Sequence, residues 1–259
     1  MTVYLPPGWR PANRVDLVFF FHGWMSSREE AISDFRLFDQ FADSGIKALL
    51  VVPETAVHAP DSFGGKFEEP GGFGRFVADL MESIDAKGIV PKARAASIIL
   101  AGHSGAYRVI ASILRRGGLE AQIREVWLFD ALYAREGAFA DWISHRQGRF
   151  ICLSSRESDT TDNAAALAAL LGARGIGFSR LEEGRDGLSG LHSPVVFITS
   201  DSDHFGVVRD HEEFRRFLST SLLAGSSKDR KEFGLQNPEA TSSRRLAEGP
   251  TYVPAPGRQ

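Results

Sequence analysis

The chain has 259 residues, 43% hydrophobic and 24% charged, which suits one medium-sized domain with a sizeable core and argues against a wholly disordered chain. A formal charge of -3 with scattered Lys and Arg gives no footprint for nucleic acid or an anionic membrane surface. A single cysteine, Cys152, rules out an internal disulfide and permits a reducing compartment; no apolar run approaches the ~18 residues of a membrane span, and residues 1–10 lack a signal-peptide pattern, so a soluble cytoplasmic protein is expected.

In chain order, residues 15–21 (V-D-L-V-F-F-F) read as a short buried strand. Residues 28–44 carry Phe35, Phe38 and Phe41 at helical spacing and end at Gly45, predicting one helix. A second apolar strand, 48–52, is stopped by Pro53. Residues 58–74 form a Gly- and Pro-rich loop with Phe63, Phe67 and Phe73. It is read either as a pocket wall or as a surface excursion pinned by its aromatics. An amphipathic helix over 74–87 ends at Gly88, and strand 97–100 leads into a helix over 105–116 that stops at Gly117 and Gly118. Strands at 125–129, 150–153 and 195–199 follow, with a helix over 164–174 and a closing helix over 210–223. Near-continuous apolar strands alternating with helices predict an α/β fold, a mostly parallel sheet with helices on both faces. Residues 1–224 are assigned to this domain. The polar tail, 225–259, is expected to be flexible and to stay out of the core. There are no internal repeats.

Chemistry concentrates first at Gly102-His103-Ser104-Gly105-Ala106, which follows an apolar strand and opens an amphipathic helix. A serine hydroxyl is a poor nucleophile until a base takes its proton. A tight strand-to-helix turn exposes its oxygen beside free amides and the positive end of the helix dipole, where developing negative charge is favoured. So sharp a turn needs small residues two positions to either side, here Gly102 and Ala106. The competing reading is a small-residue turn with an idle serine.

This pentapeptide resembles the G-x-S-x-G nucleophile elbow of the α/β-hydrolases, with Ala106 in place of the last glycine. The resemblance covers about residues 3–223, and the opening Val3-Tyr4-Leu5-Pro6-Pro7-Gly8 is similar to the start of esterase-D-type and polyhydroxybutyrate-depolymerase-type members. It implies a Ser104 nucleophile. It also implies that His22-Gly23-Trp24, directly after the first long strand, supplies part of an oxyanion hole, the backbone N–H of Trp24 acting with that of Gly105. The His22 side chain itself is expected to be structural. The base histidine of the family follows the last strand, and His204, in Asp203-His204-Phe205, has that place. His58, His103, His145, His192 and His211 fit it less well. The orienting acid should end a strand between Ser104 and His204. Asp130 is preferred because it stands immediately at its strand end; Asp159 and Glu157, after the next strand, are the alternatives.

In this fold large caps usually enter after the Asp130 strand, but here only 131–149 fills that gap, enough for one short helix. Pocket walls are then expected from 24–27, 58–74 and 133–142, with Trp24, Phe63, Phe73 and Tyr133 binding substrate and Phe67 and Trp142 nearby. A partly apolar, open cleft suits an uncharged ester or amide. The chain carries no P-loop, dinucleotide fingerprint or metal-ligand motif, so no cofactor and no metal are expected. The expected partner is a small acyl substrate; oligomeric state stays open. Ester hydrolysis through an acyl-enzyme on Ser104 is the first reading. An amidase or peptidase with the same triad, and a catalytically silent binding protein of this fold, are the alternatives.

Overall fold

Strands that are apolar at every position must bury both faces, and this sheet does so. The computed structural model describes residues 1–146, 148–184, 188–224 and 251–254. Its strands are β1 (Thr2–Leu5), β2 (Arg14–Phe21), β3 (Leu49–Val52), β4 (Arg94–His103), β5 (Ile123–Phe129), β6 (Arg149–Ser155), β7 (Ser179–Glu182), β8 (Val195–Ser200) and β9 (Thr251–Pro254). They form one sheet in the order β7-β8-β6-β5-β4-β2-β3-β1-β9. The pairs from β7 to β3 are parallel; β1 runs antiparallel to β3, and β9 antiparallel to β1.

The helices are α1 (Arg28–Asp34), α2 (Leu37–Asp43), α3 (Gly72–Ala86), α4 (Tyr107–Arg116), α5 (Glu136–Arg146), α6 (Thr160–Ala173), α7 (Gly206–Arg209) and α8 (Glu213–Ser219). Alternate strand residues divide the interior into two apolar layers. Phe19, Phe21, Ile98, Leu100 and Val126 face α3, α4, α5 and α6. Val18, Phe20, Ile99, Trp127 and Phe129 face α1, α2, α7 and α8.

Several boundaries differ from the sequence reading. The single helix expected over 28–44 is two helices, because Arg36 adopts φ 50°, ψ 43° between them. α1 starts on an N-cap, with Ser27 Oγ accepting from the Glu30 amide and donating to the Glu30 carboxylate. The closing helix expected over 210–223 is likewise split, with Glu212 left-handed at φ 53° before α8; His211 sits in the turn, not in a helix. β1 and β7 are strands beyond those the apolar runs predict. β7 is a half-exposed edge strand, S-R-L-E, without an apolar run. The tail was expected to stay out of the fold, but its residues 251–254 pair with β1 as β9 at the sheet edge; the remainder, 225–250 and 255–259, lies outside the described residues. Among the described residues no helix is long and apolar enough to cross a membrane.

After β2 the chain steps one way to β3, then returns to the other side of β2 to build β4 and moves outward through β5, β6 and β8. Strand order therefore reverses between β2 and β4. At such a switch point the loops leaving the carboxyl ends of two neighbouring strands diverge and open a crevice. The loop after β2 carries His22, Gly23 and Trp24, and the turn after β4 carries Ser104.

Candidate active site

Ser104 leaves β4 in a one-turn 3-10 segment, Ser104–Ala106, that runs into α4. Its φ is +53°, a left-handed conformation that side chains adopt only when their surroundings enforce it. The small neighbours are a steric necessity. A Cβ at Gly102 would meet Ala106 Cβ at 2.5 Å, and one at Gly23 would meet Ser104 Cβ at 2.7 Å. Alanine is thus accommodated at 106 because position 102 is glycine.

His204 follows β8 in a turn organised by Asp203, whose Oδ1 accepts from the amides of Phe205 at 3.0 Å and Gly206 at 2.6 Å. Ser155 Oγ, at the end of β6, donates to the Ser202 carbonyl at 2.8 Å. That bond draws the β8 loop across the end of β6 towards β4. His204 Nε2 then lies 2.9 Å from Ser104 Oγ, and its Nδ1 lies 2.6 Å from Asp130 Oδ2. With Nδ1–H donating to the carboxylate, Nε2 is left to accept the serine proton.

Asp130 is fully buried at the end of β5 with φ +44°. Its second oxygen accepts from the Ser155 amide at 3.1 Å and from the Thr160 hydroxyl. Burial alone would raise its pKa; the hydrogen bonds from His204, Thr160 and Ser155 outweigh that and hold it below the usual carboxylate value. Glu157 and Asp159, the alternatives, are exposed. Neither meets His204: Asp159 stands at the start of α6.

His103, which fits the base position less well in the sequence, has a definite partner. Its Nε2–H donates to the His204 carbonyl at 2.6 Å, and its ring packs 4.4 Å from the His204 ring and 4.9 Å from Phe35. Burial, reinforced by the neighbouring His204, pushes its pKa down to about 3. It is a neutral strut under His204. No periodicity marks such a contact; its only signal is adjacency to the serine.

His22 is structural. Its Nε2 accepts from the Thr55 amide at 3.2 Å, so Nδ1–H faces the Gly23 carbonyl at 3.0 Å. This bends the following Gly23-Trp24 segment over the serine turn. A methyl group placed on Gly105 would lie 3.1 Å from the Trp24 amide nitrogen, so Trp24 N and the Gly105 backbone stand side by side. Among the described residues, the Trp24 amide donates to no backbone carbonyl outside the helices and strands.

The rim is aromatic. Trp24 is 56% exposed, Phe63 43%, Tyr133 37% and Phe205 55%. The ring centroids of Tyr133 and Phe205 lie 6.2 and 5.4 Å from that of His204. Phe205 joins the rim in addition to the wall residues the sequence predicts. Three expected wall residues are corrected. Phe73 is fully buried 5.0 Å from Phe19, Phe67 packs edge-on to Phe21, and Trp142 is buried against Gly148. Their apolar bulk goes to the core because they stand on inward faces, so the pinned-excursion reading holds for most of loop 58–74 and Phe63 alone of its phenylalanines faces outward. Among the described residues no three His, Cys, Asp or Glu side chains gather as a metal site requires.

A mostly parallel sheet with helices on both faces and a serine on the turn after the central strand defines the α/β-hydrolase fold. No protein-family model matches the chain, and no curated protein matches it in sequence. Among solved structures it is similar to a ferulic acid esterase, with a TM-score of 0.56 at 14% identity over 82% of this chain and 86% of that one. It is also similar to the fluorophosphonate-binding serine hydrolase F of Staphylococcus aureus, with a TM-score of 0.53 at 10% identity over 86% and 91% of the two chains. An S-formylglutathione hydrolase of Staphylococcus aureus gives a TM-score of 0.51 at 12% identity over 84% and 90%.

Proposed function

We propose that this protein is a serine hydrolase that cleaves uncharged carboxylic esters through an acyl-enzyme on Ser104. The observation that carries the reading is the unbroken chain from Asp130 to His204 to Ser104, at 2.6 and 2.9 Å, on the open edge of the sheet. The names of the three similar structures, an esterase and two hydrolases, support it.

In this mechanism Ser104 Oγ attacks the ester carbonyl carbon while its proton passes to His204 Nε2. Buried Asp130 stabilises the imidazolium and holds the tautomer. The carbonyl oxygen, now an anion, takes hydrogen bonds from the Trp24 and Gly105 amides. Collapse breaks the bond to the alkoxy group, which leaves as alcohol with the proton from His204. Water then repeats the sequence: His204 takes its proton, the hydroxide adds to the acyl carbon, and Ser104 leaves with the proton returned. The aromatic rim gives an apolar seat to the acyl or alcohol portion.

A fluorophosphonate probe with nitrophenyl esters of graded acyl length tests this. The expected outcome is labelling and hydrolysis by the native chain and loss of both in Ser104→Ala, on the order of 10⁶ in turnover, with unchanged folding. Equal hydrolysis by Ser104→Ala sinks the assignment. Faster cleavage of the matched anilides than of the esters would move the substrate class to amides.

A further inference from the structure

Position 105 lies between the nucleophile and the rest of the elbow, and it is glycine for a reason outside the elbow. A Cβ built there would fall 2.0 Å from Ser62 Oγ and 2.8 Å from Ser62 Cβ. The space that a side chain would fill is taken by the hydroxymethyl group of a serine from loop 58–74. The same point is 3.1 Å from the Trp24 amide nitrogen. Ser62 Oγ and the Trp24 amide nitrogen therefore both stand against the Cβ position of Gly105, beside the proposed oxyanion hole.

Ser62 is held there firmly. It adopts φ +54°, and its neighbours are clamped to α4 just beyond the nucleophile. Arg108 donates to the Asp61 carbonyl at 2.7 Å, lies 5.2 Å over the Phe63 ring and pairs with Glu68 at 2.7 Å. Gly64 packs so closely on Val109 that a Cβ would meet it at 2.8 Å. The Glu68 carboxylate also accepts the Gly64 amide at 2.8 Å. Ser62 itself is half-buried, and its hydroxyl has no hydrogen-bond partner among the described residues. A fixed, unpaired hydroxyl in a partly desolvated crevice is a donor awaiting an acceptor.

We propose that Ser62 is a catalytic residue, its Oγ–H a third donor to the oxyanion beside the Trp24 and Gly105 amides. The proposal rests on the serine-hydrolase reading above. The Ser62 hydroxyl donates to the substrate oxygen as it gains charge, and no proton is transferred. A preorganised donor of this kind acts on the transition state more than on the ground state, so its loss lowers kcat and leaves KM nearly unchanged. The arrangement also restricts position 105 to glycine, since any side chain would displace the donor.

The test compares native protein, Ser62→Ala and Ser62→Gly in nitrophenyl acetate hydrolysis and in the rate of fluorophosphonate labelling, with thermal unfolding alongside. Ser62→Ala retains the Cβ that packs on Gly105, and Ser62→Gly relieves the left-handed backbone. Both should lose kcat by about 10², with KM within about twofold and labelling slowed in parallel; Ser62→Ala should unfold at the native temperature. Unchanged or faster turnover in Ser62→Ala overturns the role. A loss that appears in KM alone, or that follows a lowered unfolding temperature, also overturns it in favour of a packing role. If the native protein itself fails to label at Ser104, the serine-hydrolase reading falls and the Ser62 assignment falls with it.

Discussion

Ser104 and Asp130 both hold left-handed backbone, at φ +53° and +44°, a conformation that costs on the order of 1–3 kcal/mol in a non-glycine residue. Asp130 is fixed by its amide, which donates to the Leu153 carbonyl at 2.7 Å, and by three hydrogen bonds to its carboxylate. Asp130→Asn preserves the volume but presents an amide to His204 and favours the wrong tautomer. Turnover should fall by about 10⁴ with folding retained, whereas Asp159→Asn should change it little. Steady-state kinetics of the two variants side by side decide the point, and a large loss at Asp159 would reverse the assignment. His103 makes a second prediction at this scale. Its folded pKa, about 3, lies below the ordinary 6.5, so below 6.5 the unfolded chain binds a proton that the folded one refuses. Stability should therefore fall as pH drops from about 6.5 towards 3, by up to about 1.4 kcal/mol per pH unit. Urea unfolding from pH 4 to 7 should give a flatter profile for His103→Gln, which retains a donor but does not titrate; identical slopes would reject the buried neutral histidine.

Secondary elements hold the His204 turn by buried polar contacts rather than by apolar packing alone. Gln40 on α2 donates to the Phe35 and Val208 carbonyls, at 2.7 and 3.0 Å, and accepts the Arg215 amide at 3.0 Å, tying α1, α2, α7 and α8 together beneath the His204 turn. Glu125 and Arg149, paired at 2.8 Å on neighbouring strands, reach the Leu222 amide and the Leu191 carbonyl and so fix the chain on either side of β8. At the start of α8, Glu213 is buried beside Glu183, Arg216 pairs with it, and His211 stands 4.0 Å from Glu183. Burial first, then the neighbouring Glu183 carboxylate, raises Glu213 to about 8 despite Arg216. The folded state thus retains a proton that the unfolded chain releases near 4.5. The stability this contributes is complete below about pH 4.5 and is lost as pH rises through 8. Glu213→Gln mimics the protonated form and should flatten that loss, unfolding at higher denaturant than the native chain at pH 8. Parallel profiles for the two proteins would show that the carboxyl is ionised in the fold.

Across the whole molecule, the elements visible in the sequence are those written in contiguous residues. The two-sided apolar strands β2 through β6 and β8, the strand-turn-helix around Ser104, and the place of His204 after β8 follow from local composition, because burial on both faces and a crowded turn leave no other residue types there. Short or half-exposed strands such as β1, β7 and β9 gain their state from a neighbour's unpaired edge, which no local pattern records. Left-handed breaks at Arg36 and Glu212 interrupt helices whose apolar spacing continues across them. The partnerships were decided by tertiary structure. Asp130 and the pair Glu157 and Asp159 follow adjacent parallel strands, and position at the strand end favours Asp130 in the sequence without fixing its partner. Only the fold sets the β8 loop over the end of β6, so that His204 meets the carboxylate of β5, and turns Glu157 and Asp159 to solvent. In the same way the sequence placed Phe63, Phe67, Phe73 and Trp142 along the pocket wall, and packing sent three to the core and one to the rim. Residue type and order determined which chemistry the chain carries. Long-range placement, in which sheet order brings residues 103, 130 and 204 around one serine, determined which side chains meet there, because such contacts depend on distances in space rather than on spacing along the chain.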